Sequence, residues 1–368
     1  MADWSLQLCQ PGGAPLAQLT TARDVSLSWR RNHYAEVTLT LSAEDPAAGL
    51  LHHALKRGVP ELRAHRHADS AANGTLRFRG HLALVRDHAE HDATITATFR
   101  SPFWRLLGDG SRTGRFMFPA PAPFVGVQAA QIAKQLVDTE NALGATGLTT
   151  TGATEATVAR DITYAAGTNI GRAIVDLSEL SGGFDFFERP IDTGTALAEL
   201  HIVAAQGINR TATVRFEHGE QTRANVTEFT RTISPPISVS HAIGKDALVS
   251  TQTAIAAHGR WATLAGHADV EEQPRLDVLA TAALRPAPVR VVEFLPDASL
   301  APKPFDDYWL GDTVRVLVRR AAIEEDVNVR INAITIVLDE DGRERFQAPD
   351  STDEDASLTG TVSAEIAA

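Results

Sequence analysis

The chain has 368 residues, 43% of them apolar, and a formal net charge of −12. No run approaches the roughly 20 apolar residues of a membrane-spanning helix, and no secretory signal is expected, since the start lacks a basic region followed by an apolar core. The single cysteine, Cys9, excludes an intrachain disulfide framework and a zinc centre built on several thiolates, and the acidic balance argues against general binding of a phosphate backbone.

At this length roughly two to four domains are expected. From the N-terminus, Val25, Leu27 and Trp29 alternate with polar residues, and Val37, Leu39 and Leu41 answer them after a turn around Asn32-His33. A short helix follows, with Asp45 as its cap, Pro46 at its first position, Leu50, Leu51 and Leu55 on one face, and Gly58 at its end. Leu76, Phe78, Gly80, Leu82 and Leu84 form the longest alternation, and Ile95, Ala97 and Phe99 make the next strand. These strands and turn signals predict a small β-barrel or sandwich. Residues 112–125 are rich in Phe and Pro and predict an extended linker, followed by a helix over 126–138 and a loop from Gly144 to Thr157. A second helix, capped at Thr168 or Asn169, stops at Gly182-Gly183, and the alternating aromatics of 184–187 read as a strand.

Strands return over 200–204, 212–216, 225–232, 237–243 and 249–255, and Pro274–Leu284 has the pattern of a helix ended by Pro286 and Pro288. Tyr308-Trp309-Leu310-Gly311-Asp312 is a tight turn into a strand with Val314, Val316 and Val318 on one face. Val327, Val329 and Ile331 form its partner, and the alternation changes phase at Ala333-Ile334, which predicts a bulge. Asp339-Glu340-Asp341-Gly342 then reads as a hairpin turn, because Arg343 and Arg345 stand where a calcium loop would need oxygen ligands. The expected fold is mainly β with an α+β middle. It comprises a first β-barrel module (1–110), a linker and helix-containing domain (111–200), a β-rich domain with a closing helix (201–287), a second β-barrel module (288–349) and an acidic tail (350–368).

Chemistry-bearing patterns are few. Seven of the thirteen histidines fall between residues 52 and 91, and His65-x-His67-x-Asp69 places two imidazoles on one strand face, a weak metal candidate with no further ligand to complete a shell. The serines lack a nucleophile elbow, and Gly167-Thr168-Asn169-Ile170-Gly171 lacks the Lys and the spacing of a phosphate loop. No catalytic residue, cofactor site or enzymatic activity is expected. Phe116, Phe118 and Phe124, aromatics in a Pro-rich segment, are candidates for a clasp between domains or subunits. Tyr308, Trp309, Gly311 and Asp312 are the corresponding structural candidates in the C-terminal module.

The order of these pieces resembles the tail-tip baseplate hub and minor tail proteins of long-tailed phages, related to the hub of contractile tails. Five stretches carry the resemblance: Val25 to Leu41 with Asp45-Pro46; Leu76 to Leu82 leading into Trp104-Arg105-Leu106-Leu107; the helix near 126–138 with Gly182-Gly183-Phe184-Asp185-Phe186; Arg223-Ala224-Asn225-Val226 and the strands up to Gly244; and Tyr308 to Val314 with Arg330-Ile331-Asn332-Ala333-Ile334. The resemblance implies a homotrimer at the distal end of the tail tube, whose two barrel modules per subunit match six-fold rings above. It implies as neighbours a tail-tube or distal tail protein ring, other tail-tip, fibre or central spike proteins and the tape measure protein, with phage DNA passing through the lumen without specific binding. Location in the virion after assembly in the host cytoplasm goes with it, and no lysozyme-like or fibre domain is expected at the C-terminus. The alternatives are a hexameric distal tail protein of the same particle and a surface carbohydrate-binding or hydrolytic β-protein, the latter disfavoured by tryptophans scattered along the sequence.

Overall fold

Alternating apolar residues make a strand, but long-range pairing decides where that strand lies. The structure, a computed structural model, describes residues 3–53, 60–67, 74–88, 93–108, 113–117, 121–180, 182–192, 194–219, 224–254, 260–267, 270, 273–285, 289–297, 300–320, 323–339, 341–346 and 350–353. The molecule is mainly β, with a short helix in its N-terminal part and the other helices in its middle.

The N-terminal part contributes β1 (Trp4–Cys9), β2 (Pro15–Gln18), β3 (Arg23–Arg30), β4 (Glu36–Ser42), helix α1 (Pro46–His52), β5 (Glu61–Arg66), β6 (Thr75–His88) and β7 (Thr94–Arg100). Asp45 caps α1 as expected, its Oδ1 accepting from Ala47 N at 2.7 Å. Asn32 takes the left-handed φ of +56° that its turn requires and that Asn tolerates. The segment β1 was not read from the sequence.

The middle begins with α2 (Phe103–Leu107), β8 (Ala122–Gln128), α3 (Ala129–Leu143), β9 (Leu148–Thr149), β10 (Ala159–Tyr164), α4 (Ile170–Glu179), β11 (Asp185–Pro190) and β12 (Ala198–Val203). Three expectations change here. The helix expected from 126 starts at Ala129, and the end of the expected linker is β8, paired antiparallel with β10. Proline is tolerated in β8 because its one neighbour leaves the other edge free. Within the expected loop 144–157, Leu148–Thr149 pairs parallel with β12. Asn169 caps α4 by accepting from Arg172 N at 2.8 Å. Ile132, Ala133, Leu136, Ile174, Leu177 and Phe186 lie in one core between α3, α4 and the β11–β12 hairpin.

The chain continues through β13 (Arg215–Gly219), β14 (Val226–Ser234), β15 (Val239–Ile243), β16 (Val249–Thr253), β17 (Ala262–Gly266) and α5 (Gln273–Ala282). It ends with β18 (Val289–Pro296), β19 (Thr313–Arg320), β20 (Ile323–Leu338), β21 (Glu344–Phe346) and β22 (Asp350–Asp353). The β15–β17 sheet and α5 form a small lobe with a core of Ala242, Val270, Leu276 and Ala280.

The strands of both expected barrel modules lie in one 14-stranded sheet, joined by β13 and β14 from the region between them. Its path runs from β14 at one end to β2 at the other, and no barrel closes among the described residues. β20 is the joint. Its first half pairs with β19, from Ile323 to Arg330, and its second half pairs with β3, from Ala333 to Val337. The predicted phase change falls where the partner changes: the β20–β22 register shifts between Ile331 and Ala333, and burial passes from Val329 and Ile331 to Ile334, Ile336 and Leu338. A strand serving two partners on two faces needs such a bulge to re-aim its side chains. The resulting core is continuous from Leu6 and Trp29 to Val316 and Ile336, and removing this apolar surface from water is the main stabilising term, about 25 cal/mol per Å².

Candidate functional site

The turn Tyr308–Asp312, singled out in the sequence, is where the two ends of the chain lock together. Asp312 is buried, and its carboxylate accepts three bonds: from Ile208 N (2.8 Å), Arg210 Nε (2.7 Å) and Trp309 N (2.9 Å). Its neighbour Gly311 adopts φ +83°, and a Cβ there would stand 2.2 Å from the carbonyl oxygen of Gln206. Only glycine meets both conditions. Tyr308 is buried edge-on against Phe216, with ring centroids 5.4 Å apart, and burial pushes its hydroxyl pKa upward.

Trp309 stacks on Phe305 at 4.0 Å, and Trp29 meets both rings, at 5.5 and 5.4 Å. Trp4 completes the cluster, 6.1 Å from Trp29. Three of the five tryptophans, scattered in sequence, therefore gather in space. The rings pack on one another, with Arg77 4.5 Å above Phe305, while Trp29, Phe305 and Trp309 also line a groove. Phe305 holds φ +69°, an unusual conformation for a bulky residue, maintained by the surrounding rings.

Buried ion pairs tie the same region together. Arg66, between His65 and His67 in β5, is buried; it donates to Glu344 Oε1 at 2.6 Å and to Asp306 through two bonds of 2.7 and 2.9 Å. Trp4 Nε1 donates to the same Glu344 oxygen at 2.7 Å. The residue that matters in the histidine motif is thus the arginine inside it. His67 bonds Ser5 Oγ at 2.9 Å, and burial lowers the His65 pKa. Asp69 lies outside the described residues, among which no group of His, Cys, Asp and Glu side chains is placed to hold a metal ion.

Asp185 joins this β-body to the middle domain. Its carboxylate accepts from Arg31 Nη1 (3.1 Å), Asn32 Nδ2 (3.1 Å), Gln206 N (2.8 Å) and Arg330 Nη2 (2.6 Å). A second buried pair does the same on the other side. Arg79 Nη2 meets Glu61 Oε2 at 2.9 Å, and the other guanidinium bonds hold the carbonyls of Ile191, Gly194 and Ala196 in the β11–β12 turn. Glu188 accepts from Ser101 Oγ and from Phe103 N (2.7 Å); burial raises its carboxyl to about 7 against the pull of those bonds. This Ser–Glu pair has no histidine between its members, and Ser101 Oγ also accepts from Ala35 N at 2.8 Å, so it is a structural bond.

Of the linker aromatics, Phe116 is half-buried and bridges to Asn169 at the start of α4, while Phe124 meets Tyr164 edge-on at 6.2 Å. Phe118 lies outside the described residues. A groove of about 420 Å³ runs beside the aromatic cluster, between Arg30, Arg77 and Arg189. Sequence reasoning missed Arg66, Arg79 and Asp185, because their partners are far away in the chain.

No family model matches the sequence, and no curated protein matches it. Solved structures do match in fold. The tail protein from Neisseria meningitidis MC58 superposes with a TM-score of 0.56 at 11% identity, covering 97% of this chain and 98% of that one. The 43 kDa tail protein of prophage MuSo2 from Shewanella oneidensis gives 0.55 at 12% identity, over 96% and 99%. The Francisella PdpA–VgrG complex gives 0.52 at 9% identity, over 96% of this chain and 58% of that one. The chain has the fold of these tail proteins along essentially its whole length, as the sequence resemblance implied.

Proposed function

We propose that this chain is a structural baseplate-hub protein at the distal tip of a phage tail, or of a phage-derived particle. It forms a homotrimeric ring that extends the tail tube and lets DNA pass without binding it. One observation carries this reading: the shared fold covers 97% and 96% of this chain and 98% and 99% of two tail proteins. Its role is non-enzymatic, in keeping with buried ion pairs and ring clusters that join parts of the chain.

The ring is built from edges and open faces. β14 ends the large sheet, has nine residues and keeps most of its side chains exposed. The small lobe offers an apolar sheet face with Val249 and Leu264 exposed. A tail-tube or distal tail ring would sit above, tip or spike proteins below, and the tape measure protein inside. Phe116 and Phe124 serve in a clasp between domains or subunits. Sedimentation of the purified chain tests the ring: a species of three subunit masses is expected, six would mark a distal tail ring, and a monomer that stays monomeric with its neighbouring tail proteins would contradict both.

A further inference from the structure

A second cavity, of about 260 Å³, lies where the β-body meets the middle domain. Gly12, Glu61 and His81 line it from the body, Gly147 and Thr195 from the middle domain, and Arg105 of α2 stands between them. The Glu61 carboxylate is fully engaged: Oε2 accepts from Arg79 Nε (3.1 Å) and Nη2 (2.9 Å), and Oε1 accepts from Gly12 N (2.9 Å). Glu61 and Arg79 therefore cancel in charge.

One cation and one imidazole remain. Arg105 has no hydrogen-bond or ion-pair partner among the described residues; burial and Arg115 lower its pKa, and Glu61 is the one acid that opposes them. His81 is only 6% exposed, and neither of its ring nitrogens has a partner. Burial and the charges of Arg105 and Arg79 hold His81 down to about 3, so its ring is neutral at pH 7 and carries one N–H donor. Buried polar groups are nearly always satisfied, and an orphan costs free energy. Water in the cavity would satisfy the His81 donor, and the half-buried Arg105 adds a positive charge that no described acid pairs. Gly147, at φ +92°, borders the cavity, and a Cβ there would sit in ordinary contact with His81 Nε2 at 3.5 Å.

We propose that this cavity binds a small oxyanion, held by the Arg105 guanidinium and the His81 ring N–H, and that the bound anion pins the middle domain to the β-body. The arrangement suits an anion because the guanidinium offers charge-assisted donors and the neutral imidazole one N–H donor to oxygen.

The test is the thermal midpoint of the full chain against inorganic phosphate, at ionic strength held constant with sodium chloride. A saturable rise is expected, following the logarithm of ligand concentration above the dissociation constant. His81→Phe should melt higher than wild type in chloride alone, because it removes two orphaned nitrogens, and should bind phosphate roughly tenfold more weakly. Arg105→Met should abolish the response. If Arg105→Met does not fold, His81→Phe decides alone, together with broadening of the phosphate phosphorus resonance by wild-type protein. A wild-type response no greater than that to chloride, or an undiminished phosphate response in His81→Phe, overturns the site.

Discussion

The β-body and the small lobe around β15–β17 are made from the same alternating strands, yet they finish their surfaces differently. In the body, the buried charges Arg66, Arg79, Asp185 and Asp312 each meet several partners, and one core runs through both ends of the chain. In the lobe, four buried residues form the core among the described residues, while Leu264 is 67% exposed, Val249 54% and Ile243 39%. Ile243 pairs with Val249, and His241, two residues before Ile243, pairs with Leu264, so these apolar side chains share the sheet face opposite the core. The body surrounds its buried charges with partners; the lobe keeps an unfinished face. A subunit that must assemble needs both, a frame that fixes geometry and a surface that a neighbour completes.

Breaking the frame should cost most. Arg79→Met strands the buried Glu61 carboxylate without its counter-charge and should destabilise by about 3–5 kcal/mol in urea unfolding. A loss below about 1 kcal/mol would mean that the pair is not the joint described. Asp312→Ala removes three bonds, one of them to Arg210, and should cost about 1.5–3 kcal/mol. Gly311→Ala should cost more than about 1 kcal/mol, since it adds both strain at φ +83° and a clash with Gln206; an unchanged melting temperature would show that the turn adapts.

Glu188 sharpens the comparison through pH. Its carboxyl ionises at about 7 in the folded chain against an ordinary 4.5, so the folded state holds an extra proton between those values. The associated stability is fully present below 4.5 and is lost as pH rises through about 7. Glu188→Gln should flatten that part of the stability profile; an equally steep fall in the variant would assign it to another group. In the lobe the expectation reverses. Leu264→Lys should change the stability of the isolated chain by no more than about 0.5 kcal/mol and should reduce the oligomer seen in sedimentation. Unaltered assembly would remove the lobe face from the account.

Much of the body was legible from the sequence. Period-two alternation gave β3, β4, β6, β7 and β19, and the phase change at Ala333-Ile334 located the bend in β20 before its partners were known. What stayed hidden was long-range. Arg66 lies 278 residues from Glu344, and its flanking histidines drew attention to the wrong side chains. Tryptophans that looked scattered converge because β1, β3 and the turn at Phe305–Trp309 meet in space. β8 read as a linker, since Pro123 and Phe124 carry no alternation, and its pairing with β10 depends on residues 159–164, beyond any local window. The cavity at Arg105 and His81 was invisible for the same reason: its walls come from six separate parts of the chain.

The most direct test of the hub assignment is electron microscopy of tailed particles in which this chain carries a gold-labelled tag. Label confined to the distal tip, in a ring of three around the tube axis, is the predicted result. Label along the tube or at the head, or complete tails that carry none, would contradict it.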